Sequence, residues 1–77
     1  MTYNNVREIA NALKIKIDDQ ISKLITYEEL TEFVKELMAD PENRKRVYKV
    51  GGLAATIKTV LGARLPIFEN ILSEIEK

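Results

Sequence analysis

With no His and no Cys, the sequence offers twelve carboxylates and twelve cations as its charged groups for chemistry. The commonest general base, the commonest thiol nucleophile and the usual zinc ligands are therefore all missing. Glu28, Glu32 and Glu36 recur at i, i+4 spacing, and Asp18 and Asp19 are adjacent. Hard cations need several oxygens converging in a turn, whereas a glutamate ladder on one helix edge reads as a solvated face. The Gly51-Gly52 pair in VGGLAATIK has neither the spacing of a phosphate-binding loop nor its GK[ST] ending. It precedes a helix N-terminus, which could hold an anion, but a helix stop needs no ligand. The expectation is a protein that is not an enzyme, with no cofactor and no metal.

The cations raise a sharper question. Net charge is zero, yet residues 26–43 carry a net −5 and residues 44–64 a net +6. The stretch DPENRKRVYKVGG holds Arg44, Lys45, Arg46 and Lys49, and Lys58 follows in the next helix. On a helix, Lys45, Arg46 and Lys49 fall in one arc of about 100°. Lys45 and Lys49 would be a like-charge pair, unfavourable by a few tenths of a kcal/mol, so a compensating partner is expected. One reading matches these five cations to the Glu28, Glu32 and Glu36 ladder or to a protein partner. The other matches them to the phosphates of a nucleic acid. Tyr48 is the only aromatic residue among them, so base stacking has little to work with.

The elements that must position these charges are helices. Hydrophobic residues make up 45% and charged residues 31% of the 77 positions, which suits one small folded domain. Val6, Ile9, Ala10, Leu13, Ile17, Ile21 and Leu24 lie in an arc of about 120°. Asn5 with Glu8, and Thr26 with Glu29, have the spacing of capping boxes. LKIKI, residues 13–17, alternates like a strand, but the helical period has more members, and helix strands Ile15 on the polar face. Leu30, Phe33, Val34, Leu37 and Met38 follow the same period. Asp40-Pro41 starts a third helix that Gly51-Gly52 ends. A fourth runs from about Leu53 to Ala63, and a fifth, begun near Pro66, places Ile67, Phe68, Ile71, Leu72 and Ile75 on one side. The prediction is an all-α single domain over 1–77, a compact bundle of about five short helices with no sheet and with helix four central.

The run VREIANALKIKIDDQISKL resembles the helix-turn-helix of small transcription regulators at Glu8-Ile9-Ala10, Leu13 and Ile15. It departs from that motif where Lys14 replaces the turn glycine and Gln20 the apolar position of the second helix. The resemblance covers about a quarter of the chain and would imply DNA binding.

Helix four has Leu53, Ile57, Val60 and Leu61 on one face and the small residues Ala55, Thr56, Thr59, Gly62 and Ala63 on the other. Small side chains let a second helix approach closely, so this face is expected to be covered by the rest of the chain or by a second copy. A domain this short, without disulfides, gains most from oligomerisation. A homodimer burying the small face at Ala55, Thr59 and Gly62, or the stranded Ile15, is therefore expected. MTYNNVREIA lacks a basic region followed by an apolar run, and the longest uncharged run is far short of the roughly 20 residues that span a bilayer. The expectation is a cytoplasmic protein with no membrane contact. The preferred reading is a small non-enzymatic interaction module, self-associating and regulatory or scaffolding through protein contacts. The alternative is a nucleic-acid-binding regulator using the basic face of residues 44–58, disfavoured by the neutral net charge.

Overall fold

Three helix starts are set by side chains close in sequence. Asn5 accepts a hydrogen bond from the Glu8 amide at 3.0 Å, and the Glu8 carboxylate accepts from the Asn4 amide at 3.2 Å, one residue earlier than a regular capping box. In the computed structural model, which describes residues 3–76, helix α1 runs Val6–Ile21, α2 Tyr27–Ala39, α3 Pro41–Val47, α4 Ala55–Leu61 and α5 Leu65–Ile75. A 3₁₀ turn, Gly62–Arg64, joins α4 to α5. Thr26 and Glu29 form the expected reciprocal capping box at the start of α2, and Asp40 caps α3 by accepting from the Glu42 amide at 2.9 Å. The fold is an all-α bundle.

α1 is continuous through LKIKI and through the position of a helix-turn-helix turn. Leu13 and Ile17 are one turn apart and both fully buried, so the helical period wins over the strand-like alternation. The resemblance to a helix-turn-helix does not survive this: one straight helix occupies its first helix, its turn and the start of its second helix. The apolar stripe is also shorter than its sequence pattern. Lys23 takes a left-handed backbone, φ 64°. Its amide bonds to the Gln20 carbonyl and the Leu24 amide to the Asp19 carbonyl, the paired bonds of a Schellman motif. The chain turns there, and Ile21 and Leu24 are left exposed.

A sheet is present where none was expected. α3 stops at Val47, four residues before Gly51, because Tyr48 is already extended. Strands β1 (Tyr48–Lys49) and β2 (Gly52–Leu53) then pair antiparallel, Tyr48 opposite Leu53 and Lys49 opposite Gly52. The loop between them is Val50-Gly51, and the φ of 89° at Gly51 is what the third position of a type II turn requires. The two glycines serve a hairpin and not a helix end. β-Branched and aromatic side chains in RVYKV favour the extended form, but two-residue strands are too short to register as periodicity.

The core gathers Ile9, Ala10, Leu13 and Ile17 of α1 with Leu30, Val34 and Leu37 of α2, and with Ile57, Leu61, Phe68 and Ile71 from the C-terminal half. α1 touches α2, α3 and α4, and its contact with α4 is the most extensive in the fold. α4 buries only its Ile57 and Leu61 side. Ala55, Thr59, Gly62 and Ala63 are exposed on the other, so the chain itself does not cover the small face. Helix four is shorter than the expected 53–63, since Leu53 belongs to β2 and Gly62 and Ala63 to the 3₁₀ turn.

Candidate protein-interaction groove

Ile15 sits two residues, or about 200° of helix, from both Leu13 and Ile17, so burying those two turns it outward, and it is 60% exposed. It does not stand alone. With Tyr3, Ala12, Lys16 and Phe33 it lines an open depression of about 480 Å³ between α1 and α2. Past Lys16 and Phe33 the depression continues into a second of about 410 Å³, bordered by Ile25, Glu28, Glu29, Glu32 and Glu36. The Lys16 ammonium lies over the Phe33 ring, 5.4 Å from its centre, a cation–π contact where the two halves meet. The result is a groove with an apolar floor and an acidic edge.

The glutamate ladder that reads as a solvated face therefore lies along this groove. Glu32 pairs with Lys35 on its own helix at 3.6 Å, and Glu29 is engaged in the cap. Glu28 and Glu36 make no ion pair among the described residues. Three or more acidic, His or Cys side chains placed to hold a metal are absent among the described residues.

Part of the basic block is paired within the chain, but not with the ladder. Arg44 reaches the C-terminal end of α5 and pairs with Glu76 at 2.7 Å. That hydrogen bond raises the Arg44 pKa above its ordinary value, and the guanidinium also stacks over Tyr48 at 5.3 Å. Lys45 and Arg46 pair within α3, both with Glu42, at 3.7 and 3.9 Å. These three cations match carboxylates, but Glu42 and Glu76, not the Glu28, Glu32 and Glu36 ladder. The i, i+3 and i, i+4 spacing from Glu42 was readable in ENRKR, while Glu76 is distant in sequence. Lys49 lies on β1, so it shares no helical arc with Lys45 and Arg46. Lys49 and Lys58 are exposed and make no ion pair among the described residues.

Three further polar contacts tie the bundle together. Arg64 in the 3₁₀ turn donates two hydrogen bonds to the Asp18 carboxylate, the longer at 3.1 Å, and they hold the Asp18 pKa below its usual value. Tyr27 donates to Glu74 at 3.0 Å, and burial, with this bond, pushes its phenol above the ordinary tyrosine value. Asn43 is fully buried. It accepts from the Tyr3 amide at 3.0 Å and donates to the Leu37 carbonyl at 3.1 Å. Sequence patterns pointed to Ile15 but not to Tyr3, Lys16 and Phe33 around it, since a groove between two helices depends on how they pack. Among the described residues no helix is long and apolar enough to cross a membrane.

Comparison with curated proteins finds no match, and comparison with solved structures finds none. Residues 1–73 match the model of a family described as a conserved hypothetical protein, and the chain belongs to that family.

Proposed function

We propose that this protein is a small non-enzymatic helical module that works by protein contact, including self-association, through the groove between α1 and α2. The observation that carries the reading is Ile15, 60% exposed in an apolar depression shared with Phe33 and Tyr3, next to a second depression bordered by glutamates. An apolar centre with a charged rim is the usual anatomy of a protein–protein contact, and a depression of this kind is a natural seat for an aliphatic or aromatic anchor. Nucleic-acid binding is supported less. Arg44, Lys45 and Arg46 already face carboxylates, so phosphate would have to compete with Glu42 and Glu76, and the whole molecule is neutral.

A photoreactive phenylalanine analogue at position 15, compared with the same group at the exposed position 70 on α5, tests the reading. Ultraviolet light should join the position 15 variant to a polypeptide, either a second copy or another protein, and the position 70 variant to none. Absence of any adduct at position 15, in cells and in concentrated purified protein alike, would overturn it.

A further inference from the structure

Two surfaces of this chain carry charges that its own fold leaves unmatched, and they are of opposite sign. One is the groove, where Glu28 and Glu36 have no ion pair among the described residues. The other is formed by the β1–β2 hairpin and the start of α4 that follows it. Val50 at its tip is completely exposed, at 107%. Lys49 precedes it, Lys58 follows one turn into α4, and both lack an ion pair among the described residues.

The tip has the shape of a wedge. Gly51 and Gly52 follow Val50, and a Cβ built on either would meet nothing within 4 Å, so the valine projects beyond a backbone with no side-chain bulk behind it. A solvent-facing valine between a lysine and two glycines contributes nothing to the core of its own chain. The groove offers the complementary set: an apolar floor at Ile15 and Phe33 and an acidic edge whose Glu28 and Glu36 make no ion pair among the described residues.

We infer that the occupant of the groove is a second copy of this chain, whose hairpin tip inserts Val50 against Ile15 and Phe33 while Lys49 and Lys58 face Glu28 and Glu36. The inference rests on the groove being a protein-contact site. A two-fold arrangement makes the contact twice, each copy giving a tip and receiving one, which satisfies both surfaces of both chains and closes the assembly. Without that closure the same contact would run on into a filament.

The test uses charge reversal on the full chain, with mass measured by sedimentation velocity. Wild type should associate, and more weakly at 500 than at 50 mM NaCl, as screening of rim charges requires. Glu28→Lys with Glu36→Lys, and separately Lys49→Glu with Lys58→Glu, should each weaken association by about tenfold or more. Both pairs are exposed, so circular dichroism should show the fold unchanged. Mixing the two variants should restore association as a heterodimer, because each acidic edge then meets lysines and each lysine edge meets glutamates. Val50→Asp should abolish association in every combination. Monomeric wild type, or reversal variants that neither weaken alone nor recover when mixed, would overturn the inference. A photoadduct from position 15 to another protein, with no adduct between copies, would overturn self-docking alone and leave the groove as a contact site. No adduct of either kind would overturn both.

Discussion

Asn43 is the buried polar side chain among the described residues, and it joins the segment before α1 to the end of α2. Leucine in its place is larger and cannot hydrogen-bond, so it leaves the Leu37 carbonyl and the Tyr3 amide without this partner. An unsatisfied buried group costs about 1–3 kcal/mol, so Asn43→Leu should lower the unfolding free energy by about that amount, read as a lower urea midpoint with an unchanged slope. Asp18 acts through ionisation. Its folded pKa is below the unfolded one because Arg64 binds the carboxylate. The resulting stability is present at pH above the unfolded value and is lost as pH falls through the folded value. Thermal melts between pH 6 and pH 2 should show wild type losing stability below about pH 4, and Asp18→Asn losing less over that window. A variant as acid-sensitive as wild type would show that the pair contributes nothing.

Among the elements, α2 depends most visibly on its first turn and α1 on its last. Thr26→Ala removes one half of the capping box and should cost about 1 kcal/mol in a denaturant titration. Lys23→Gly should do the reverse, because φ 64° suits glycine, and a gain of about 0.5–1 kcal/mol is expected. Gly62 teaches a different lesson. Its backbone, φ 53° and ψ −119°, lies in a region open to glycine, while a Cβ there would meet no atom within 4 Å. Gly62→Leu would therefore destabilise the α4–α5 junction through backbone strain alone, by about 1–3 kcal/mol, whatever the oligomeric state. Thr59→Arg is the cleaner probe of the small face of α4. On α3 and β1, Lys45→Glu with Lys49→Glu removes one highly exposed pair. The change in stability should stay below about 1 kcal/mol, and a filter-binding assay on duplex DNA at 50 mM salt would expose any nucleic-acid role.

At the scale of the whole molecule, the Cα radius of gyration is 11.4 Å, close to the roughly 11.5 Å expected of a self-contained domain of 77 residues. The chain thus closes a core without a partner, and dimerisation would add to a folded monomer and not create one. Charge balance has the same character. Opposite-sign blocks at 26–43 and 44–64, net −5 and +6, nearly cancel, but in space it is Glu42 of the acidic block that pairs with the basic one, while Arg44 and Arg64 pair with Glu76 and Asp18 outside it. Glu28, Glu36, Lys49 and Lys58 make no ion pair among the described residues, and the self-docking proposed above would match them at a contact weakened by salt.

Local chemistry decided what the sequence could decide by itself. Side chains that cap a helix bond within three residues, so the starts at Asn5, Thr26 and Asp40 were legible, as were the apolar stripes that fill the core and the outward turn of Ile15. The absence of His and Cys narrowed the chemistry in the same direct way. Tertiary structure decided everything that depends on partners far along the chain. Arg44 found Glu76 and Arg64 found Asp18 across 32 and 46 positions, distances over which no periodicity carries information. The hairpin displaced the end of α3 because paired strands of two residues gain their bonds from each other and from the Ala54 amide to the Val47 carbonyl, not from a pattern. The groove exists only because α1 and α2 pack together, which sets Ile15 and Phe33 in one depression beside another that glutamates border.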